Sequence, residues 1–346
     1  MEQAVLKGAV PISAFADESA VARTLRAGAR WRWVETGFWA AIAVCYFVFP
    51  RYLPIMSEIA ILALFALSLD LILGYGGIVS LGHAAFFGLG AYTAGLFALN
   101  ISPDPLLGLA ASTIVTALLG LLTSVLLLRG SDLTRLMLTL AIALVLQEAA
   151  NQLGAYTGGA DGLQGISMGA IAGRFAFDLT GQTAAAYSLV TLFILFLIAR
   201  RTMASPFGLS VRAIRDNPKR AAAVGVPVNR RLMAIYTVAG AYAGIAGGLL
   251  AQTTQFVSLD VFEFQRSADL ILVLIIGGTG YLYGGLIGAI IFKLMQDGLA
   301  TITPQYWQFW VGLLLVIFVL AGRERTGEAL AMLRRRLTGR PQEAQP

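Results

Sequence analysis

The stretch Arg200-Arg-Thr-Met-Ala-Ser-Pro-Phe-Gly-Leu-Ser-Val-Arg-Ala-Ile-Arg-Asp-Asn-Pro-Lys-Arg-Ala-Ala-Ala-Val-Gly-Val-Pro-Val-Asn-Arg-Arg231 lies between two long apolar segments, and its reading orients the rest of the chain. It carries eight basic residues (Arg200, Arg201, Arg212, Arg215, Lys219, Arg220, Arg230, Arg231) against one acid, Asp216. Basic excess in a short loop between apolar segments marks the cytoplasmic side of a membrane protein. The loop also has folding signals of its own. Pro206 and Gly208 read as the end of the preceding membrane helix. Asn217–Pro218 reads as an N-cap followed by proline in the first turn, and Gly225 stands where a C-cap belongs. A short helix at about 218–224 is predicted, a docking element rather than a plain tether.

Working outward, the 346 residues are 58% hydrophobic and 13% charged, with a mean hydropathy of +0.76. Soluble domains carry about 25% charge. Charge-free runs cover 71–103, 105–128, 179–199, 232–259, 270–292 and 298–322. Each is long enough to cross a hydrocarbon core of about 30 Å as a helix. The fold class is therefore an all-α polytopic membrane protein. About ten transmembrane helices are predicted, at 33–49, 55–74, 78–99, 105–128, 133–154, 183–200, 232–257, 266–282, 283–302 and 306–322. Most of the 25 Lys and Arg residues fall in 1–32, 200–231 and the tail after Leu320. This clustering is topological and points to no nucleic acid. It gives a cytoplasmic extension (1–32), a transmembrane region (33–322) with its inside loop (201–231) and outside loop (155–182), and a cytoplasmic tail (323–346). Residues 1–32 lack the apolar core of a signal peptide, so the first span is expected to act as an uncleaved anchor. The Gly-rich connectors at 74–78 and 282–283 leave almost no loop. A re-entrant backbone is tolerated there only where protein covers it.

Catalytic chemistry is poorly supplied. His83 is the only histidine and Cys45 the only cysteine, so thiolate clusters and histidine metal sites are excluded. Lys7, Lys219 and Lys293 follow Leu, Pro and Phe, so no Gly-Lys-Ser/Thr phosphate loop exists. No enzyme activity, cofactor or metal is expected, and any ATPase is on another chain. His83 reads as a packing residue at a helix start, with a proton relay as the alternative. Lys293 and Asp297, four apart, read as a neutralising pair. Gln147, Glu148, Asn151 and Gln152 form a polar face on an otherwise apolar helix. This face reads either as helix–helix hydrogen bonding or as the outer mouth of a pathway. Glycines at 82, 88, 90 and 95, and at 240, 244, 247 and 248, allow helices to approach closely. Asp-Leu-Ile-Leu occurs at 70–73 and again at 269–272, a hint of an internal repeat.

The stretch Leu69-Asp-Leu-Ile-Leu-Gly-Tyr-Gly-Gly-Ile-Val-Ser-Leu-Gly-His-Ala-Ala-Phe-Phe-Gly-Leu-Gly-Ala-Tyr-Thr-Ala-Gly95 resembles the branched-chain amino-acid permeases of bacterial ATP-binding-cassette importers, of the LivM type. Three further segments resemble that family in the same order. They are Thr157-Gly-Gly-Ala-Asp-Gly-Leu-Gln-Gly-Ile166, Ser205-Pro-Phe-Gly-Leu-Ser-Val-Arg-Ala-Ile-Arg215 continuing to Gly225, and Ile276-Gly-Gly-Thr-Gly-Tyr-Leu-Tyr-Gly-Gly-Leu-Ile-Gly288 with Tyr306-Trp-Gln308. The resemblance spans about 55–325. The chain departs from it in Lys219–Arg220, where many relatives carry acids, in Lys293, and in the basic N-terminal extension.

The resemblance implies an inner-membrane importer built from this chain, a sister permease subunit, two cytoplasmic ATP-binding subunits and a periplasmic substrate-binding protein, surrounded by membrane lipid. Transport would proceed by alternating access. It implies ATPase coupling through Arg212, Arg215, Pro218, Ala221, Ala222 and Gly225. A substrate pathway is placed at Gln147, Glu148, Asn151 and Asp161. Two other readings remain: the same machine carrying urea, amides or other amino acids, and an ion-coupled secondary transporter using Asp70, Glu148 and Asp269.

Overall fold

The structure is a computed structural model and describes residues 33–178 and 180–302, with 304, 306, 308–313 and 316. The expected extension 1–32 and tail 323–346 lie outside the described residues. Twelve α-helices are named here: α1 (Trp33–Val48), α2 (Leu53–Asp70), α3 (Ala84–Asn100), α4 (Pro105–Leu127), α5 (Asp132–Gln152), α6 (Gly154–Thr157), α7 (Gln182–Met203), α8 (Pro206–Asp216), α9 (Pro218–Ala223), α10 (Val228–Thr254), α11 (Phe264–Gly277) and α12 (Leu282–Ile302). Among the described residues extended pairing is confined to two isolated bridges, Leu163 with Val257 and Ile171 with Phe175. Among the described residues six helices are long and apolar enough to cross a membrane: α2 with its continuation to Tyr75, α4, α5, α7, α10 and α12. α1 and α3 are shorter apolar helices. The expected span at 306–322 falls largely outside the described residues, of which 308–313 are helical.

α2 and α10 hold the centre. In each, 72% of the apolar window is buried, against 17% in α5, which lies at the rim. Lipid tails are as apolar as leucine, so burial alone does not drive these helices together; close backbone approach does. α10 packs on α2, α3 and α4, and its glycines set the distance. A Cβ at Gly247 would collide with the carbonyl of Phe87 on α3. One at Gly244 would collide with Thr116 on α4. The glycine stripes are thus helix-packing devices.

The expected span at 78–99 is corrected: its helix begins only at Ala84. α2 ends in a π-turn, Leu71–Tyr75, and residues 76–83 run irregularly before α3 starts. A wide turn of this kind commonly marks a functional position. Protein groups take up several backbone N–H groups here, as a re-entrant backbone would require. Ile78 N donates to Ile72 O (2.9 Å), Leu81 N to Thr139 Oγ1 on α5 (3.3 Å), and Ala84 N to Ser267 Oγ on α11 (3.0 Å). The second Gly-rich break falls at 278–281, slightly before the expected 282–283, between α11 and α12. The two Asp-Leu-Ile-Leu copies occupy unlike places, one running from the end of α2 into its π-turn and the other inside α11.

Residues 155–182 are not a slack loop. Thr157 Oγ1 donates to Ala150 O (2.5 Å), Leu163 and Val257 exchange backbone bonds (2.7 and 3.2 Å), and Leu163 and Ile166 bury themselves beside Gly95 of α3. Asp178 starts α7 by accepting from the backbone N–H groups of Thr183 (2.9 Å) and Gln182 (3.3 Å). Those bonds, Thr183 foremost, hold its carboxyl below the usual carboxylate range.

Candidate functional site

At the basic end of the bundle the chain leaves α7 and builds an arm of two helices. Asn217 opens α9 by accepting the Arg220 N–H on Oδ1 (2.9 Å), and Pro218 fills the first turn. At the far end Val226 N donates to Ala221 O (3.1 Å) and Gly225 N to Ala222 O (3.0 Å). With Gly225 at φ +86° this is a Schellman closure, a conformation that a side chain would strain. Six residues are too few for a stable isolated helix, so these caps and one packed face hold it. Ala221 is that face, 3% exposed, whereas Lys219, Arg220, Ala222 and Ala223 are exposed and Val224 is 74% exposed. Ala221 thus anchors the helix from within, while Ala222 and its neighbours face outward.

Sequence reading missed α8. Pro206 and Gly208 do not merely close α7; Pro206 occupies the first turn of a new helix after Ser205. The helix buries Gly208, Val211 and Ile214, a three-residue spacing that was the available signal. Gly208 is required because a Cβ would strike the Met203 backbone.

α8 turns its arginines back onto the bundle. Arg215 Nη1 donates to Gly74 O in the π-turn (2.5 Å), and its Nε and Nη2 reach Asp216 Oδ1 (3.3 and 3.2 Å). Arg212 lies over the Tyr75 ring at 4.9 Å. Asp70, fully buried, accepts the Gly280 N–H on Oδ1 at 2.7 Å. The two Gly-rich breaks are thus tied to each other by Asp70, and to the arm by Arg215. A side chain at Gly74 would collide with both Asp70 and Gly280.

At the opposite end of α5, Gln152 Nε2 donates to Glu148 Oε1 (2.5 Å); Glu148 and Asn151 are exposed and Gln147 is half-buried. Thr157, Gly159 and the exposed Asp161 follow directly, with Thr157 bonded back to α5. The polar face and the Thr157–Ile166 segment therefore share one corner of the molecule. Asp70, Glu148 and Asp269 do not form a cluster. They lie on three helices, bonded respectively to Gly280, Gln152 and Gln265. His83 is fully buried, with Nε2 2.8 Å from Ser68 Oγ and its ring stacked on Phe65, a packing role. Lys293 bridges Asp297 (3.1 Å) and also Glu58 on α2 (2.6 Å), so it pins α12 to α2.

The family described as branched-chain amino acid transport system / permease component matches residues 51–320. The chain belongs to this family of ATP-binding-cassette permeases. It is 24% identical over 306 residues to the high-affinity branched-chain amino acid transport system permease protein LivM of Escherichia coli, covering 81% of this chain and 71% of that one. The LivM protein of Salmonella typhimurium is 23% identical with the same coverage. The fructose import permease FrcC of Rhizobium meliloti is 32% identical, over only 36% of either chain. No solved structure matches. As a member of this permease family the chain is a transport component with several membrane-spanning helices.

Proposed function

We propose that this chain is the permease subunit of an importer that carries branched-chain amino acids across the bacterial inner membrane. The observation that carries this reading is coverage. LivM proteins align along 81% of the chain, whereas the fructose permease FrcC aligns along 36%. In this reading the basic end is cytoplasmic, in line with the charge rule. Two ATP-binding subunits dock on α9 there, a periplasmic binding protein delivers cargo at the opposite corner, and a sister permease packs on this subunit.

The mechanism follows from the connections. ATP-driven closure of the docked subunits displaces α9, which is joined to α8 at Asn217. α8 passes the displacement through Arg215 and Arg212 to the π-turn, and through Asp70 to the break before α12. The helices behind those breaks meet across glycines, so they shift as rigid bodies and open the path alternately to each side. At the outer corner an arriving amino acid is zwitterionic and needs polar partners until it clears the mouth. Gln147, Glu148, Asn151 and Asp161 supply them.

The test is uptake into proteoliposomes holding the complex with its ATPase and binding-protein subunits. Labelled leucine is expected to enter only with ATP on the ATPase side and binding protein on the other. Uptake of fructose or ribose with none of leucine would overturn the substrate assignment.

A further inference from the structure

A cavity of about 390 Å³ opens at the basic end, where the start of α1, the π-turn of α2 and the end of α7 come together. Glu35, Tyr75, Arg200, Arg212, Arg215 and Tyr283 are among the residues that line it. The transport reading uses Arg212 and Arg215 only as links; it gives the cavity itself no task. Its chemistry is that of an oxyanion site. Three guanidinium groups face one carboxylate, and that carboxylate is already matched, since Glu35 sits 2.5 Å from Arg200. Arg215 is matched by Asp216. Arg212 has no carboxylate partner among the described residues; it lies over the Tyr75 ring at 4.9 Å and its hydrogen bond to Met203 O is long, 3.4 Å, so its charge is not matched by an anion. The Tyr283 hydroxyl is buried and finds no acceptor among the described residues. A site with one unmatched guanidinium and an unused hydroxyl donor lacks acceptor oxygens.

Depth narrows the source of those oxygens. The continuation of α2 and α7 end at the cavity and α12 begins there, with α8 closing another side, which puts it at headgroup level; basic pockets between helices at that level hold acidic lipid headgroups. Tyrosines there sit with ring in the apolar layer and hydroxyl toward the headgroups. We propose that the cavity binds the phosphate of an anionic phospholipid, with Arg212 as its principal partner and Tyr283 as a second donor. The lipid then braces the junction between the arm and the π-turn. This holds whichever solute is carried.

The test uses the full-length chain in detergent, stripped of lipid and then offered dioleoylphosphatidylglycerol, dioleoylphosphatidylcholine or inorganic phosphate, with bound lipid counted by native mass spectrometry. One phosphatidylglycerol is expected to be retained in preference to phosphatidylcholine. Arg212→Gln should weaken that retention at least about tenfold, as loss of a charge-assisted bond implies. Arg230→Gln, which alters an exposed arginine elsewhere in the basic region, should leave it unchanged. Tyr283→Phe removes only a hydroxyl; it should weaken retention and decides the matter if Arg212→Gln does not fold. Equal retention by the parent and the folded variants overturns the site. Full displacement of the lipid by millimolar inorganic phosphate would assign the cavity to a free anion and overturn the lipid.

Discussion

Arg215 was legible as a basic loop residue, and the family resemblance placed it in ATPase coupling, but its contact was not legible. Its partner, Gly74, is 141 positions away, and no local pattern announces that the two meet. The bond matters because the Gly74 carbonyl belongs to a π-turn, where helical hydrogen bonding is already disturbed. Arg215→Gln is expected to leave the bundle assembled and ATP hydrolysis running while uptake falls about tenfold, since a half-exposed charge-assisted bond is worth about 1.5 kcal/mol. Parallel loss of hydrolysis and uptake would place the defect in docking instead. Glu148 behaves differently. It stood out in the sequence as an acid in an apolar span, and the structure leaves it exposed beside Gln152. Glu148→Gln preserves shape and hydrogen bonding, so assembly and basal hydrolysis should persist while leucine uptake drops. Dissociation of the purified complex would instead mark the residue as structural.

At the scale of elements, α9 was readable because caps are local: Asn-Pro at one end and Gly225 at the other specify it within nine residues. α8 was not read, because Pro206 signals an ending and a beginning equally well. What settles the matter is the buried row of Gly208, Val211 and Ile214, which needs the bundle to face. The start of α3 was misplaced for a related reason. Residues 76–83 are apolar enough for a helix, but Thr139 of α5 takes the Leu81 N–H and Ser267 of α11 takes the N–H of Ala84, where α3 begins. Ala222→Pro removes a donor in the middle of α9 and costs about 3 kcal/mol locally, more than six residues can absorb. The membrane bundle should keep its helical circular dichroism, while stimulation of ATP hydrolysis by loaded binding protein disappears. Normal stimulation in this variant would remove α9 from the coupling path.

At the scale of the whole molecule, the charge rule predicts that the arm and the Thr157–Ile166 corner lie on opposite sides of the membrane. In a Cys45→Ala background, Ala160→Cys is expected to react with a membrane-impermeant maleimide on intact cells. Ala223→Cys should react only after lysis. Both positions are exposed, so silence at either cannot be blamed on burial. Reaction of Ala223→Cys on intact cells would invert the topology.

By itself, the amino-acid order determined the membrane class, the family, the capped helix α9 and the polar corner of α5. Each depends on composition, on motifs in series, or on neighbours a few positions apart. Tertiary structure alone decided that the two Gly-rich breaks meet through Asp70 and Gly280, and that the arm grips the π-turn. It also decided that Lys293 spans two helices, and that three arginines surround one cavity. Those contacts join residues far apart along the chain. In a membrane they are selected by close backbone approach and by buried polar groups that must find partners; glycine spacing hints at the first, but neither says in the sequence which partner is met.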